Sequence, residues 1–174
     1  MTEPEFWTLI EASRPGDSEA QVDRLIDALA IRPVAEILSF GQWWDTLKVR
    51  AYQWPLWGAA YLMNGGCSDD GFSDFRSWLL LKGEFIFKAA LEDADWLAKI
   101  EIERDEASCE CYPAPTAYEM TTGTKEHNLY YNALSVAYGI KSAPDDPLGE
   151  EWDFDDNKVM KKRLPKLFKK FGDA

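Results

Sequence analysis

Cysteine and histidine are scarce in this sequence of 174 residues, which contains three cysteines and one histidine. An odd, low number of cysteines is unlike the disulfide frameworks of small secreted proteins. The first residues also lack the basic and apolar segments of a secretory signal, so we expect a cytoplasmic protein. The closest cysteine pair, Cys109 and Cys111, has no second pair to complete a zinc site. We therefore predict neither a metal ion nor a cofactor.

Basic residues are in short supply as well. Lysine and arginine total 19 against 31 aspartates and glutamates, and the formal net charge is −12. Proteins that bind nucleic acids non-specifically need basic groups against the phosphates, and anionic membrane surfaces make the same demand. The longest nearly apolar run, from Trp54 to Met63, is too short to span a bilayer and contains Pro55. We expect no nucleic acid and no membrane as partners.

The sequence also lacks the alternation of apolar and polar residues that marks strands, and its apolar residues recur at helical spacing instead. Thr2 and Glu5 have the spacing of a capping box at the start of a first helix. We predict an all-α protein. It should form a single compact multi-helix domain over residues 1–174, with a glycine- and aspartate-rich loop between its central helices. The longest helical stripe repeats in steps of three and four residues: Ile37, Phe40, Trp44, Leu47, Ala51 and Trp54.

The C-terminal segment, residues 153–174, has the opposite charge balance, with seven bases and four acids. Pro165 predicts that it forms two short helices rather than one, and we expect them to pack on the body of the domain. Two interpretations stay open. The segment is either a solvated helix whose bases complement the helix dipole at its C-terminal end, or a basic tail that docks onto the acidic body or onto a partner.

One segment, from Asn64 to Trp78, combines a glycine-rich turn with a thiol, adjacent carboxylates and an arginine. The structural interpretation assigns these residues to folding. Glycines permit the turn, and Ser68, Asp69 or Asp70 caps the helix that begins near Phe72. Arg76 then pairs with Asp69 or Asp70.

The alternative interpretation is a catalytic or ligand-binding site with Cys67, Asp69, Asp70 and Arg76 as its candidates. Two close carboxylates raise one pKa, which general acid–base catalysis needs. Arg76 would bind an anionic group of the substrate. Cys67 would act as a nucleophile if the following helix N-terminus stabilised its thiolate. The usual partner of such a thiolate is distant in sequence, because the single histidine is His127.

A third interpretation is a protein interface. Residues 92–110 hold eight acids and two bases, and four of the eight tryptophans fall between residues 43 and 57. Tryptophan is both a core residue and a frequent hot spot of protein–protein binding. The binding residues that we predict are Trp43, Trp57, Asp69, Asp70, Asp74, Arg76, Glu101, Glu103, Asp105 and Glu106.

Short motifs along the chain carry a family resemblance. They include Phe6-Trp7-x-Leu9-Ile10-Glu11, Leu56-Trp57-Gly58-Ala59-Ala60-Tyr61-Leu62, Asn64-Gly65-Gly66-Cys67-Ser68-Asp69-Asp70-Gly71-Phe72 and Gly149-Glu150-x-Trp152-Asp153. In these motifs the chain resembles the small bacterial proteins of the family called domain of unknown function 4240. The resemblance leads us to expect an aspartate where this sequence has Pro55. It implies no activity, and it marks the segment from Cys67 to Arg76 as characteristic of the family.

Two functional hypotheses follow from these patterns. The preferred one is a protein-binding module, such as an immunity-type inhibitor of a basic partner, because acidic proteins are steered rapidly to basic ones. The other is a small enzyme or ligand-binding protein that uses the loop from Cys67 to Asp70 together with Arg76. In that hypothesis one aspartate acts as the acid or base, and Asp70→Asn abolishes activity without unfolding the protein.

Overall fold

The computed structural model describes residues 1–14, 18–139 and 144–172, and all their side chains except those of Ser18 and His127. Over these residues the secondary structure is helical, which confirms the all-α class, and the one β contact is an isolated bridge between Gln53 and Leu148. None of the described helices combines the length and apolarity that a membrane crossing requires. The elements are α1 (Glu3–Ser13), α2 (Ser18–Ala30), α3 (Val34–Arg50), α4 (Trp54–Asn64), α5 (Asp69–Leu81), α6 (Glu84–Glu92), a 3₁₀ helix (Ala94–Lys99), α7 (Pro113–Thr122), α8 (His127–Tyr138), α9 (Asn157–Arg163) and α10 (Pro165–Phe171).

The chain divides into two compact units. Unit 1 comprises Met1–Leu47 and Cys111–Ser142, and unit 2 comprises Lys48–Glu110 and Ala143–Ala174. The boundary falls within α3, after Leu47. A single domain over residues 1–174 stays a prediction.

Unit 1 begins with the capping box that the sequence predicts. The Thr2 amide donates to the Glu5 carboxylate at 2.6 Å, and the Glu5 amide donates back to the Thr2 hydroxyl at 3.4 Å. These bonds satisfy amides that have no partner within the helix. Helix α1 can then bury Phe6 against Phe40 of α3, with ring centroids 4.7 Å apart.

The long helical stripe is divided in the structure. Helix α3 ends at Arg50, whereas the spacing of apolar residues extends the pattern to Trp54, which opens α4. The reason is a competing set of backbone bonds, since Leu148 N–H donates to Tyr52 O and Trp54 N–H donates to Leu148 O, both at 2.9 Å. Pro55 then lies in the first turn of α4, where its missing N–H costs nothing.

Unit 2 is organised around α4, which carries no charged residue and buries Gly58, Ala59 and Ala60. Pro165 separates α9 from α10, as the sequence predicts. Helix α10 packs against α4 and the 3₁₀ helix. The buried carboxylate of Asp95 accepts the Lys166 and Leu167 amides at 2.9 and 2.8 Å, so it caps α10 from another element.

The contact of Gly58 with the C-terminal part of unit 2 leads to a stability prediction. A Cβ atom at Gly58 would lie 2.6 Å from Cζ2 of Trp152 and 3.3 Å from Cδ1 of Leu164. We expect Gly58→Ala to lower the free energy of unfolding by about 1–3 kcal/mol in urea titrations, because overpacking forces half-buried Trp152 and buried Leu164 to move.

Gly71→Ala is the matched control. Its added Cβ would meet Ser68 and Cys67 at ordinary contact distances of 3.5 and 3.6 Å. Alanine also stabilises a helix more than glycine does, so the free energy of unfolding of this variant should equal or exceed that of the wild type. Equal losses in both variants would contradict the packing argument.

Candidate functional site

The loop between α4 and α5 makes a turn that only glycine adopts easily. Gly65 follows α4 in the left-handed region with φ 67°, and Gly66 N–H donates to Tyr61 O at 2.8 Å. A Cβ atom at Gly65 would also lie 2.9 Å from Nε of Arg104. The backbone conformation therefore favours glycine at position 65, and a Cβ atom there would displace the end of the Arg104 side chain.

Ser68 starts α5 and is its cap. The Ser68 hydroxyl accepts the Gly71 amide at 3.2 Å, while Asp69 and Asp70 occupy the first turn with exposed side chains. Carboxylates in this position stabilise the positive end of the helix dipole. This part of the structural interpretation agrees with the geometry, and Ser68 is the capping residue among the three candidates.

Arg76 does not pair with Asp69 or Asp70, so that expectation is wrong. Two helical turns separate Asp69 from Arg76, a rise of ~10 Å. The Arg76 guanidinium instead donates to Phe72 O at 3.2 Å and to Lys48 O at 3.1 Å. It lies over the rings of Tyr52 and Phe72, 4.9 and 5.0 Å from their centroids. These contacts of the Arg76 guanidinium with backbone carbonyls and aromatic rings connect α5 to the end of α3.

Cys67 lies beside this arginine in an environment that keeps its thiol protonated. The Cys67 carbonyl accepts the indole N–H of Trp57 at 3.0 Å. Burial and the neighbouring Asp74 carboxylate raise the pKa of the Cys67 thiol to about 11, and Arg76 opposes them only in part. A nucleophilic cysteine needs the opposite shift. The side chain of His127, the partner considered for it, lies outside the described residues.

Asp74 is the carboxylate of this segment whose pKa is raised. Burial is the main cause, and Glu110 and Asp70 add to it, while Lys48 opposes them. Lys48 itself donates to the hydroxyls of Ser73 and Ser77, both at 3.0 Å. A raised carboxyl pKa suits general acid–base catalysis, so the alternative hypothesis of an enzyme would use Asp74 in this role.

The predicted acids of residues 101–106 lie on a loop that is fixed to α4 and α5. Asn64 donates to Ala107 O at 3.0 Å and accepts Ala107 N–H at 3.1 Å, and Ala107 is fully buried. Asp105 N–H donates to Met63 O, and Cys109 N–H donates to Asp74 O. The side chains held outward by these bonds are exposed, and they are Glu101, Glu103, Asp105 and Glu106.

The two predicted tryptophans are half-buried and have different roles. Trp43, in unit 1, donates its indole N–H to Met1 O at 3.1 Å and so fixes the start of the chain. Trp57, in unit 2, stacks between Trp54 and Phe72, with centroid distances of 5.4 and 4.9 Å. Both indoles are therefore held in place by the fold.

An open groove in unit 2 joins aromatic rings to carboxylates, and no sequence motif predicts it. Its volume is about 600 Å³. Phe154 lies at its centre, with ring centroids 5.8, 5.4 and 5.4 Å from those of Trp54, Tyr61 and Trp152. We call it the aromatic–acidic groove, and its lining residues are Trp54, Tyr61, Glu151, Trp152, Asp153, Phe154 and Asp155.

Three of these lining residues carry negative charge and form no ion pair within the described part of the chain: Glu151, Asp153 and Asp155. The Tyr61 hydroxyl donates to the Asp155 carboxylate, and this bond raises the pKa of Tyr61. Arg163 lies over the Trp152 ring and pairs with Glu150 at 2.8 Å. The spacing of Trp54 and Tyr61 on α4 is visible in the sequence, but their partners are about a hundred residues away.

The raised pKa of Cys67 predicts slow alkylation near neutral pH. We expect the rate of Cys67 modification by iodoacetamide in the folded protein to rise about tenfold per pH unit above neutrality, because only the thiolate reacts. The rate should level off only near the pKa of about 11. Peptide mapping by mass spectrometry separates Cys67 from Cys109 and Cys111.

The same protein unfolded in urea is the control, and its Cys67 rate should level off near the ordinary thiol pKa of about 8.5. A plateau near neutrality in the folded protein would show a stabilised thiolate and would favour the catalytic interpretation.

Comparison with known proteins places the chain in a family. The family model for the protein of unknown function DUF4240 matches residues 1–124. This match confirms the resemblance seen in the sequence motifs, although the motifs after residue 124 lie outside it. The chain matches no curated protein and no solved structure. Because the match covers well over half of the 174 residues, the chain belongs to the DUF4240 family of proteins of unknown function.

Proposed function

We propose that this protein is a protein-binding module whose partner is a basic protein, and that it acts in the cytoplasm as an immunity-type inhibitor of that partner. The observation that carries the proposal is the aromatic–acidic groove. It offers aromatic faces and carboxylates without a base among its lining residues. A lysine or arginine side chain of a partner is the protein group that matches both features.

The same recognition occurs within unit 2. Arg76 lies against the rings of Tyr52 and Phe72, and Arg163 lies 4.7 Å from the Trp152 centroid while it pairs with Glu150. Each example combines an aromatic face with an oxygen acceptor. The groove places aromatic rings beside carboxylates at the surface in the same way, and Arg163 on Trp152 is the cation of its own chain closest to this pattern.

The acidic loop of residues 101–106 supports the proposal at longer range. Its carboxylates are exposed, and the loop is held by the side-chain amide of Asn64 and by the backbone carbonyls of Met63 and Asp74. Fixed charges of one sign raise the association rate of an oppositely charged partner. Because the loop that carries them is already ordered, little conformational entropy is lost on binding. With a net charge of −12, the whole chain acts in the same direction.

The inhibitor role follows from the same electrostatics. Basic enzymes that act on nucleic acids need their positive surface, and an acidic protein that covers it blocks the substrate. A cytoplasmic location would place such an inhibitor beside the substrates that it protects.

Two variants separate specific binding in the groove from a general effect of the negative charge of the protein. In pull-downs read by mass spectrometry, the wild type should retain a basic partner at low salt and lose it at high salt.

We expect Glu151→Gln with Asp155→Asn to weaken binding to the purified partner about five- to tenfold, because two carboxylates that face the cation are lost. The partner's activity should also fall when the wild type is added.

The control is Glu19→Gln with Asp23→Asn, which removes the same charge from exposed positions of α2. Equal binding by the groove variant and the wild type would exclude the groove as the contact. Retention that does not depend on salt, or a retained partner that is not basic, would contradict the proposal as a whole.

The acidic loop predicts a kinetic effect. Charge reversal by Glu101→Lys with Glu103→Lys should slow association with the basic partner several-fold at low salt and leave dissociation nearly unchanged, because exposed charges act mainly on the encounter. Surface plasmon resonance measures both rates. An unchanged association rate would exclude these acids from steering.

A further inference from the structure

Two carboxylates of the aromatic–acidic groove are oriented by the fold. Asp155 accepts the Tyr61 hydroxyl through Oδ1, and Asp153 accepts the Asp155 amide through Oδ1 at 2.9 Å. Within the described part of the chain, the second oxygen of each of these carboxylates, Oδ2, receives no hydrogen bond. The groove therefore presents two fixed carboxylates, each with an acceptor that a ligand can use.

The same two carboxylates lie near one phenol. The hydrogen bond to Asp155 is the main cause of the raised pKa of Tyr61, burial adds to it, and the charges of Asp155 and Asp153 act in the same direction. The Tyr61 phenol therefore stays protonated near neutral pH and remains a donor. This bond holds Asp155 beside a ring whose centroid lies 5.4 Å from that of Phe154.

Aromatic rings border the space beside these carboxylates. Trp54 and Phe154 both line the groove, with ring centroids 5.8 Å apart and planes inclined at 59°. Both side chains are half-buried, so packing fixes them while part of each ring remains accessible. A flat cation can contact such a ring while its edge faces the carboxylates.

A neighbouring arginine of the same chain shows how the segment beside the groove accommodates a guanidinium. Arg163 lies 4.7 Å from the centroid of Trp152 and pairs with Glu150 at 2.8 Å. The ring and the carboxylate belong to the segment that continues to Asp153 and Phe154 in the groove. Stacking on a ring and N–H donation to a carboxylate are therefore combined in one arginine here.

We infer that the basic residue bound in the aromatic–acidic groove is an arginine of the partner, in preference to a lysine. The inference rests on the proposed function, because it specifies which basic side chain the groove takes. The guanidinium lies against Trp54 and Phe154 and donates to Asp153 and Asp155. Its planar fork carries five N–H donors and is weakly hydrated, so it can stack on a ring and reach two carboxylates at once. The lysine ammonium is compact and strongly hydrated, and it acts as a point charge.

The test compares N-acetyl-arginine amide, N-acetyl-lysine amide and the uncharged N-acetyl-citrulline amide in ¹H–¹⁵N NMR titrations of the full chain at physiological ionic strength. We expect saturable shifts of the Trp54 indole and of residues 151–155. The arginine amide should bind about three- to fivefold more tightly than the lysine amide. The citrulline amide, which is close to arginine in shape but has no charge, should give no saturable shift.

Two variants probe the source of this preference. Tyr61 is a positioning residue, and Tyr61→Phe removes the bond that orients Asp155 without changing the charge of the groove. Asp153→Asn removes the charge of the other carboxylate, while its amide oxygen can still accept the Asp155 amide. Each variant should reduce the preference for arginine over lysine to less than about twofold. Asp153→Asn supplies this comparison by itself if Tyr61→Phe does not fold.

Asp27→Asn is the charge-matched control, because Asp27 is an exposed carboxylate of α2 that does not line the groove. Its preference for arginine should equal that of the wild type. Equal binding of the arginine and lysine amides at the groove would overturn the inference and leave the proposed function in place. A preference that persists in Asp153→Asn would also overturn the inference. The absence of saturable groove shifts with both amides would instead remove the observation that carries the proposed function, and the inference with it.

Discussion

The stack of Trp54, Trp57 and Phe72 is the interaction on which the surfaces of unit 2 depend. Trp57 lies within 5.4 Å of Trp54 and 4.9 Å of Phe72, and its indole N–H fixes the Cys67 carbonyl. The Phe72 ring in turn lies beneath Arg76, and the Trp54 ring lies beside Phe154 at the centre of the aromatic–acidic groove. The glycine loop, the arginine and the groove are therefore positioned by one column of rings, since stacked aromatic side chains bury large areas in a defined geometry.

Three polar side chains of unit 2 form hydrogen bonds with the backbone. Arg76 donates to two carbonyls, Asp95 accepts two amides of α10, and Asn64 forms two bonds with Ala107. An active site needs polar side chains that are oriented by the fold but directed at a substrate. Here these side chains are directed at the protein itself, so their orientation is explained by folding.

The features that could be predicted from the sequence are local. The capping box of Thr2 and Glu5, the break at Pro165 and the cap at Ser68 each depend on residues within a few positions. The partners of Arg76 could not be predicted in this way, because a carbonyl 28 residues away and two rings replace the carboxylates nearby. The aromatic–acidic groove was missed for the same reason, since Asp155 lies 94 residues after Tyr61. Spacing identifies the face of a helix but not what packs against it.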